Sequence, residues 1–138
     1  MGAPRESLLK DLLGFLAPGA VLHEREDLAP YECDGLSAYR QAPMLVALPA
    51  GEDEVVTIMK AAHRHKVPVV ARGAGTGLSG GALPHAQGLL MSLAKLRRIV
   101  EVDPVARTAR VQPGVPNAQI SAAAAPHGLY YAPDPSSQ

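Results

Sequence analysis

The sequence predicts an α+β fold in which helices pack on a small mixed sheet. An amphipathic run, residues 52–66, separates two apolar strand-like runs, residues 44–48 and 67–72, and this order suits two parallel strands joined by a right-handed crossover. Residues 99–103 and 108–112 alternate apolar and polar side chains across a short turn, which predicts an antiparallel hairpin. Parallel and antiparallel pairing are therefore both expected.

Before the first strand, apolar residues at positions 8, 9, 12, 13 and 16 predict a helix over residues 7–16, with Ser7 as its N-cap. Pro18 and Gly19 end this helix. Residues 21–28 are short enough for a strand or a turn, and residues 29–41, which lack a clean period, are expected to form a loop.

The run at residues 44–48 is apolar throughout, as in a strand that is buried on both faces. The helix that follows has acidic residues at its start and basic residues at its end, and its apolar stripe consists of Val55, Ile58, Met59 and Ala62. His63 and His65 lie two residues apart on this helix and point to different faces, so we expect solvated side chains here and no metal site.

The remaining elements are a strand, a hairpin and a helix. Residues 88–93 read as a strand, and the hairpin turn consists of residues 104–107. Pro116 is predicted at the first position of a helix that runs through residues 117–125 and ends at Pro126, His127 and Gly128. Residues 129–132 form a short extended piece.

Composition narrows the classes of function. Of 138 residues, 13 are Lys or Arg and 13 are Asp or Glu, which gives no electrostatic case for nucleic acid as a partner. The single cysteine, Cys33, allows no internal disulfide and is expected as a small apolar filler. No secretory signal or run of about 18 apolar residues is present. We therefore expect a cytoplasmic protein without a transmembrane segment.

The stretch with most functional information is the glycine loop, residues 73–81, in which five of nine residues are glycine. Successive backbone N–H groups in such a loop form a concave site for anions, so the loop predicts diphosphate binding. Thr76 and Ser79 would add hydroxyl donors, and Arg72 at the loop entrance would offset anionic charge or form a structural ion pair. A plain glycine-rich surface connection is the alternative.

Two nucleotide-binding motifs fit the glycine loop poorly. Residues 75–80 match G-x-G-x-x-G, with Glu101 or Asp103 about 20 residues on, as in Rossmann nicotinamide sites. That motif requires a helix directly after the loop, and residues 81–88, which contain Pro84, do not favour one. A P-loop would need a Gly-Lys-Ser or Gly-Lys-Thr sequence, which is missing.

The loop sequence Pro-Val-Val-Ala-Arg-Gly-Ala-Gly-Thr-Gly-Leu-Ser-Gly-Gly resembles the pyrophosphate loop of FAD-linked oxidases of the vanillyl-alcohol oxidase and p-cresol methylhydroxylase type. Within that superfamily the chain is most similar to the catalytic flavoprotein subunits of glycolate oxidases and to FAD-linked D-lactate dehydrogenases. The similarity continues in order through residues 31–39, 99–103, 108–115 and 128–137. The resemblance implies the N-terminal part of a p-cresol methylhydroxylase-type FAD-binding domain.

The resemblance also implies roles for individual residues. The FAD diphosphate would be wrapped by Arg72, Gly73, Ala74, Gly75, Thr76, Gly77, Leu78 and Ser79. The flavin and its linker would be approached by Pro133, Asp134, Ser136 and Ser137. Thr76 stands where covalent members of the superfamily carry the histidine that links to the flavin, so FAD is expected to be non-covalent. No histidine of this chain matches a catalytic motif of the family, and no catalytic or metal-binding residue is assigned.

In the family, the chain continues into a second FAD subdomain and a substrate cap that supplies the catalytic histidine and a substrate-binding arginine. We therefore expect residues 1–40 to form a lead-in segment and residues 41–138 the first part of the FAD-binding domain of a glycolate-type or D-lactate-type oxidoreductase. The 138 residues alone are expected to retain FAD weakly and to show no turnover. A second flavin-domain subunit and an iron–sulfur subunit are the implied partners, with membrane association through them. The alternative is a truncated, non-catalytic nucleotide-binding or interaction module.

Overall fold

The computed structural model describes residues 3–133, which fall into two compact units divided between Lys95 and Leu96. The predicted mixture of parallel and antiparallel strands is present, so the α+β prediction is confirmed. The helices are α1 Ala3–Phe15, α2 Arg25–Leu28, α3 Glu52–Arg64 and α4 Asn117–Ala124, with 3-10 turns at Ala29–Tyr31 and Ala125–His127. The strands are β1 Val21–Leu22, β2 Leu45–Ala47, β3 Val69–Arg72, β4 Leu89–Ser92, β5 Ile99–Asp103 and β6 Thr108–Val111.

The first unit is built on a four-stranded sheet of order β1-β2-β4-β3. Both β2 and β3 pair parallel with β4, whereas β1 pairs antiparallel with β2. Strands β2 and β3 are therefore parallel to each other, as predicted, and β4 lies between them. All four residues of β4 are buried, as expected for a central strand that is covered on both faces.

Two helices bury their apolar sides in the main core of this unit. Leu8 and Leu12 of α1 and Ile58 of α3 are fully buried in the same cluster as Leu45 and Leu89 of the sheet. Helix α1 begins at Ala3 rather than Ser7, so Ser7 lies inside the helix and the predicted N-cap is wrong. Pro4 is compatible with this earlier start because the first turn of a helix needs no N–H donor from it.

Helix α3 has the predicted position, and its buried side matches the predicted stripe except at Met59. Ile58, Ala61 and Ala62 are its buried residues, and Met59 is 45% exposed. Val55 packs against the main core, as predicted, and Ala61 is buried although the stripe did not include it. Within residues 3–133 no helix combines the length and apolar character needed to cross a bilayer.

His65, expected to be solvated, instead joins α3 to α1. Its Nε2 lies 2.8 Å from Asp11 Oδ2, and Arg64 donates to the same oxygen at 2.9 Å. The hydrogen bond from His65 is the main cause that lowers the pKa of Asp11, and the charges of His65, Arg64 and Lys10 add to it. The histidine is thus part of a helix-to-helix contact.

The segment after α1 contains β1, which the prediction of a strand or a turn allowed, and the short helix α2, which was not predicted. The loop expected over residues 29–41 is irregular after the 3-10 turn at Ala29–Tyr31. Its ends are nevertheless fixed, because Gln41 N–H donates to the Glu32 carbonyl at 2.7 Å and Arg40 donates to the Glu32 carboxylate at 2.6 Å. These bonds give the loop a defined shape without regular secondary structure.

The second unit contains the predicted hairpin, β5–β6, with Asp103 opposite Thr108 and an irregularity between Ile99 and Glu101. Asp103 Oδ1 accepts the N–H groups of Val105 and Ala106, each at 2.9 Å, and so builds the turn. Pro116 is the N-cap of α4 rather than its first helical residue. The predicted stop is confirmed, since Gly128 has a φ of 69° directly after the second 3-10 turn.

Candidate cofactor site

The glycine loop begins at the carboxyl end of β3. The last β3–β4 bond runs from Leu93 N–H to the Arg72 carbonyl at 2.9 Å, after which the chain leaves the sheet. Residues 73–88, all within the described part of the chain, form bends and turns without a helix. The carboxyl ends of parallel strands are where α/β sheets bind ligands, so the loop lies at the expected edge. The lack of a helix removes the Rossmann alternative.

The backbone of the glycine loop is open to a ligand. Among the hydrogen bonds of residues 3–133, none uses an N–H group of residues 73–79 as donor. Gly75 has a φ of 72° and Gly80 a φ of 74°, values that residues with a side chain rarely adopt. A Cβ added to Gly73 or Gly77 would meet no atom within 4 Å. Successive N–H groups that have no partner within residues 3–133 fit a diphosphate site.

The side chains of the loop are exposed to solvent. Thr76, Leu78 and Ser79 are exposed, and the Leu78 side chain is 73% accessible. The two hydroxyl groups are therefore accessible as donors beside the backbone N–H groups. Leu78 is a large apolar side chain at the surface, so it makes few packing contacts that a substitution could remove.

Arg72 makes contacts that its sequence position did not predict. It donates from Nη1 to the Cys33 carbonyl at 2.6 Å, and its guanidinium carbon lies 5.6 Å from the centroid of the Tyr31 ring. A Cβ on Gly75 would overlap the same guanidinium. No carboxylate within residues 3–133 forms an ion pair with Arg72. Its partners are a carbonyl, an aromatic ring and the loop backbone, so the ion-pair alternative finds no partner there.

Gly35 brings the loop at residues 29–41 against the glycine loop. A Cβ built on Gly35 would lie 2.5 Å from the Thr76 carbonyl oxygen and 2.8 Å from that of Gly77. The preceding residue, Asp34, is 5% exposed, and its Oδ1 accepts Leu36 N–H at 2.8 Å. Its Oδ2 is buried and has no hydrogen-bond partner within the described residues. The two loops are therefore in backbone contact.

Reasoning from the residues assigned no role to Tyr31 or Gly35 and expected Cys33 only as a small apolar filler, whereas Cys33 is partly buried and its carbonyl accepts from Arg72. Periodicity carries no signal for them because they act through one ring, one carbonyl and the absence of one Cβ. The Asp34-Gly35 pair is a turn signal that indicates a defined loop but not its partner.

The predicted site residues near the end of the chain belong to the second unit. Pro133 is exposed and lies in an irregular segment. Asp134, Ser136 and Ser137 lie outside the described residues. Just before Pro133, residues 128–132 line a groove of about 310 Å³ together with Ile120 of α4 and Val102 of β5. Within residues 3–133 no cluster of three His, Cys, Asp or Glu side chains suits a metal ion.

Comparison with known proteins identifies the relatives of this chain. Over 134 residues it is 56% identical to the glycolate oxidase subunit GlcD of Escherichia coli K12, which covers 97% of this chain and 27% of that protein. It is 40% identical over 94 residues to a D-lactate dehydrogenase of Archaeoglobus fulgidus, which covers 68% of this chain and 21% of the relative. The chain thus spans about a quarter of the length of the curated relatives it matches.

The crystal structure of p-cresol methylhydroxylase with bound substrate shares the fold. It superposes with a TM-score of 0.80 at 24% identity and covers 94% of this chain and 26% of the enzyme. Residues 43–138 match the sequence profile of the FAD-binding domain family. The predicted fold and cofactor are therefore confirmed. The chain belongs to the FAD-binding domain family, with the fold seen in p-cresol methylhydroxylase, and its cofactor is FAD.

Proposed function

We propose that this chain is the FAD-binding portion of a flavin-dependent oxidoreductase that acts on a small 2-hydroxy acid of the glycolate or D-lactate type. The observation that carries the proposal is the 56% identity, over nearly the whole chain, to a glycolate oxidase subunit. The D-lactate dehydrogenase among its relatives supports the same substrate class. Residues 41–138 are proposed as the first part of the FAD-binding domain, preceded by a lead-in segment over residues 1–40.

Within the glycine loop, residues 73–79 are proposed to hold the FAD diphosphate. Their N–H groups, which have no partner within residues 3–133, would donate to the phosphate oxygens, with Thr76 and Ser79 as additional donors. Arg72, at the loop entrance, would place positive charge near the same anion. Residues Pro133, Asp134, Ser136 and Ser137 are proposed to approach the flavin. When bound, FAD accepts a hydride equivalent from the substrate, a reaction that amino-acid side chains do not perform.

The FAD is proposed to be non-covalent, because the hydroxyl of Thr76 stands at the position where covalent relatives have a histidine. Acid precipitation of flavin-loaded protein is the test. We expect intact FAD in the supernatant and a colourless pellet. Flavin that stayed attached to the precipitated polypeptide would contradict the proposal.

By its similarity to an oxidase subunit, the protein is proposed to work with a second flavin-domain subunit and an iron–sulfur subunit. A cytoplasmic location, with contact to a membrane only through such partners, agrees with the helices of residues 3–133, none of which could span a bilayer. The 138 residues alone are expected to retain FAD weakly and to show no turnover.

Anaerobic mixing of the purified, natural-length protein, loaded with FAD, with glycolate and D-lactate tests the activity. We expect at least one of them to bleach the visible flavin absorbance, because hydride transfer reduces the flavin. The matched control is pyruvate, the 2-oxo acid of D-lactate, which has no hydrogen on its second carbon and cannot donate a hydride. A fully loaded protein that neither hydroxy acid bleached would contradict the proposed substrate class.

A further inference from the structure

We propose that residues 31–35, here called the brace segment, hold the glycine loop in the shape that binds the cofactor, with Arg72 and Gly35 as positioning residues. The inference rests on the proposed role of the glycine loop. It adds that part of the affinity for FAD is set outside the loop, by a segment that needs no contact with the cofactor.

The first contact of the brace segment runs through Arg72. Its guanidinium is fixed by the Cys33 carbonyl at 2.6 Å and by the Tyr31 ring at 5.6 Å. Held in this position, it fills the space that a side chain on Gly75 would need. Gly75 has a φ of 72°, so the loop makes its left-handed turn directly over the anchored guanidinium. A planar, multidentate guanidinium is suited to these simultaneous contacts, and a lysine ammonium is not.

The second contact is between backbones. Gly35 has no side chain, and a Cβ there would come within 2.5 Å of the Thr76 carbonyl and 2.8 Å of the Gly77 carbonyl. These two carbonyl groups therefore face the brace segment. In a planar trans peptide the C=O and N–H groups point to opposite sides. The N–H groups of Gly77 and Leu78 consequently point away from the brace segment, where a phosphate oxygen can meet them.

The brace segment is itself well fixed. Asp34 is almost fully buried and forms a tight turn by accepting Leu36 N–H at 2.8 Å, which sets the position of Gly35. Beyond this turn, the Glu32 carbonyl accepts Gln41 N–H at 2.7 Å and closes the loop. The glycine loop, by contrast, has few internal bonds. The better-fixed segment therefore determines the shape of the other.

The test compares Gly35→Ala with Gly81→Ala in the purified, natural-length protein. Gly81 has open space for a Cβ and no positive φ, and it lies outside the residues proposed to bind FAD. Two quantities are measured: the Kd for FAD by titration of the apoprotein, and the backbone ¹⁵N order parameters of residues 73–79 without ligand. We expect Gly35→Ala to raise the Kd at least tenfold and to lower these order parameters to below about 0.6, the range of flexible backbone. Gly81→Ala should change the Kd less than twofold and leave the order parameters unchanged.

If Gly35→Ala fails to fold, Tyr31→Leu and Tyr31→Phe provide the same test. Phenylalanine keeps the ring that faces Arg72 and should retain the wild-type Kd and order parameters, whereas leucine should raise the Kd and lower the order parameters as Gly35→Ala does. The same Kd and the same backbone measurement in the two Tyr31 variants, or in Gly35→Ala and Gly81→Ala, would contradict the proposed role of the brace segment. Wild-type protein that bound no FAD would refute the proposed function instead, and the order parameters of the free protein would still decide on the brace.

Discussion

The two sides of the first unit differ in what holds them together. On the helical side, Leu8, Leu12, Ile58 and Leu89 are completely buried in one apolar cluster. At the carboxyl edge of the sheet, the glycine loop is mostly exposed and is held by one guanidinium and one backbone contact. The difference indicates that stability and cofactor binding are separable in this unit. Substitutions in the core should change the free energy of unfolding, and substitutions in the loop should change the affinity for FAD.

The largest expected effect comes from a pair of leucines. Leu45 in β2 is fully buried, and Leu78 in the glycine loop is 73% exposed. Leu45→Ala should lower the free energy of unfolding by about 2–5 kcal/mol, because it removes buried methyl groups and leaves a cavity. Leu78→Ala should change it by less than about 0.5 kcal/mol. Urea denaturation measures both, and similar losses would show that the loop contributes to stability as the core does.

A pair of glycines reverses the comparison. Gly75→Ala puts a side chain at a φ of 72° and against Arg72, so it should raise the Kd for FAD at least tenfold and lower stability by about 1 kcal/mol. Gly14→Ala, in α1 with open space around it, should raise stability by about 0.5–1 kcal/mol and leave the Kd unchanged.

Flavin fluorescence titration and urea denaturation measure these two quantities. An unchanged Kd in Gly75→Ala would show that the left-handed turn of the loop is not needed for the cofactor.

The smallest effect is expected at the ion pair between α1 and α3. The pKa of Asp11 is lowered from its ordinary 3.8, so the carboxylate stabilises the fold above about pH 4, and this contribution is lost as the pH falls through the lower, folded-state value. Asp11→Asn should therefore melt below the wild type at pH 7, and this difference in melting temperature should shrink as the pH falls below about 4. Thermal unfolding followed by circular dichroism measures the difference. A difference in melting temperature that stayed constant down to pH 2 would show that it comes from packing and not from the charge of Asp11.

Sequence reasoning located the regular elements because their signals are local. Consecutive residues carry the acidic start and basic end of α3 and the apolar–polar alternation of β5 and β6. The helix and the hairpin both lie where predicted. The strand order was missed, since β4 enters between β2 and β3 from later in the chain. The residues of β2 and β3 do not indicate which strand will lie between them.

The candidate site divides in the same way. The glycine loop is visible in the sequence as a cluster of one residue type, and the family resemblance named its cofactor. The contacts that shape it are not visible, because Arg72 finds its partners 39 residues earlier, at the Cys33 carbonyl. An isolated arginine next to a glycine loop suggests an anion contact, and only the fold shows that its side chain also meets Tyr31.

Hydrogen exchange of the natural-length protein with and without FAD decides whether the N–H groups of residues 73–79, which have no partner within residues 3–133, hold the cofactor's diphosphate. If they do, FAD slows exchange of these amides at least tenfold, and the amides of β4, already bonded within the sheet, change little. FAD binding that left exchange in residues 73–79 unaltered would contradict this role.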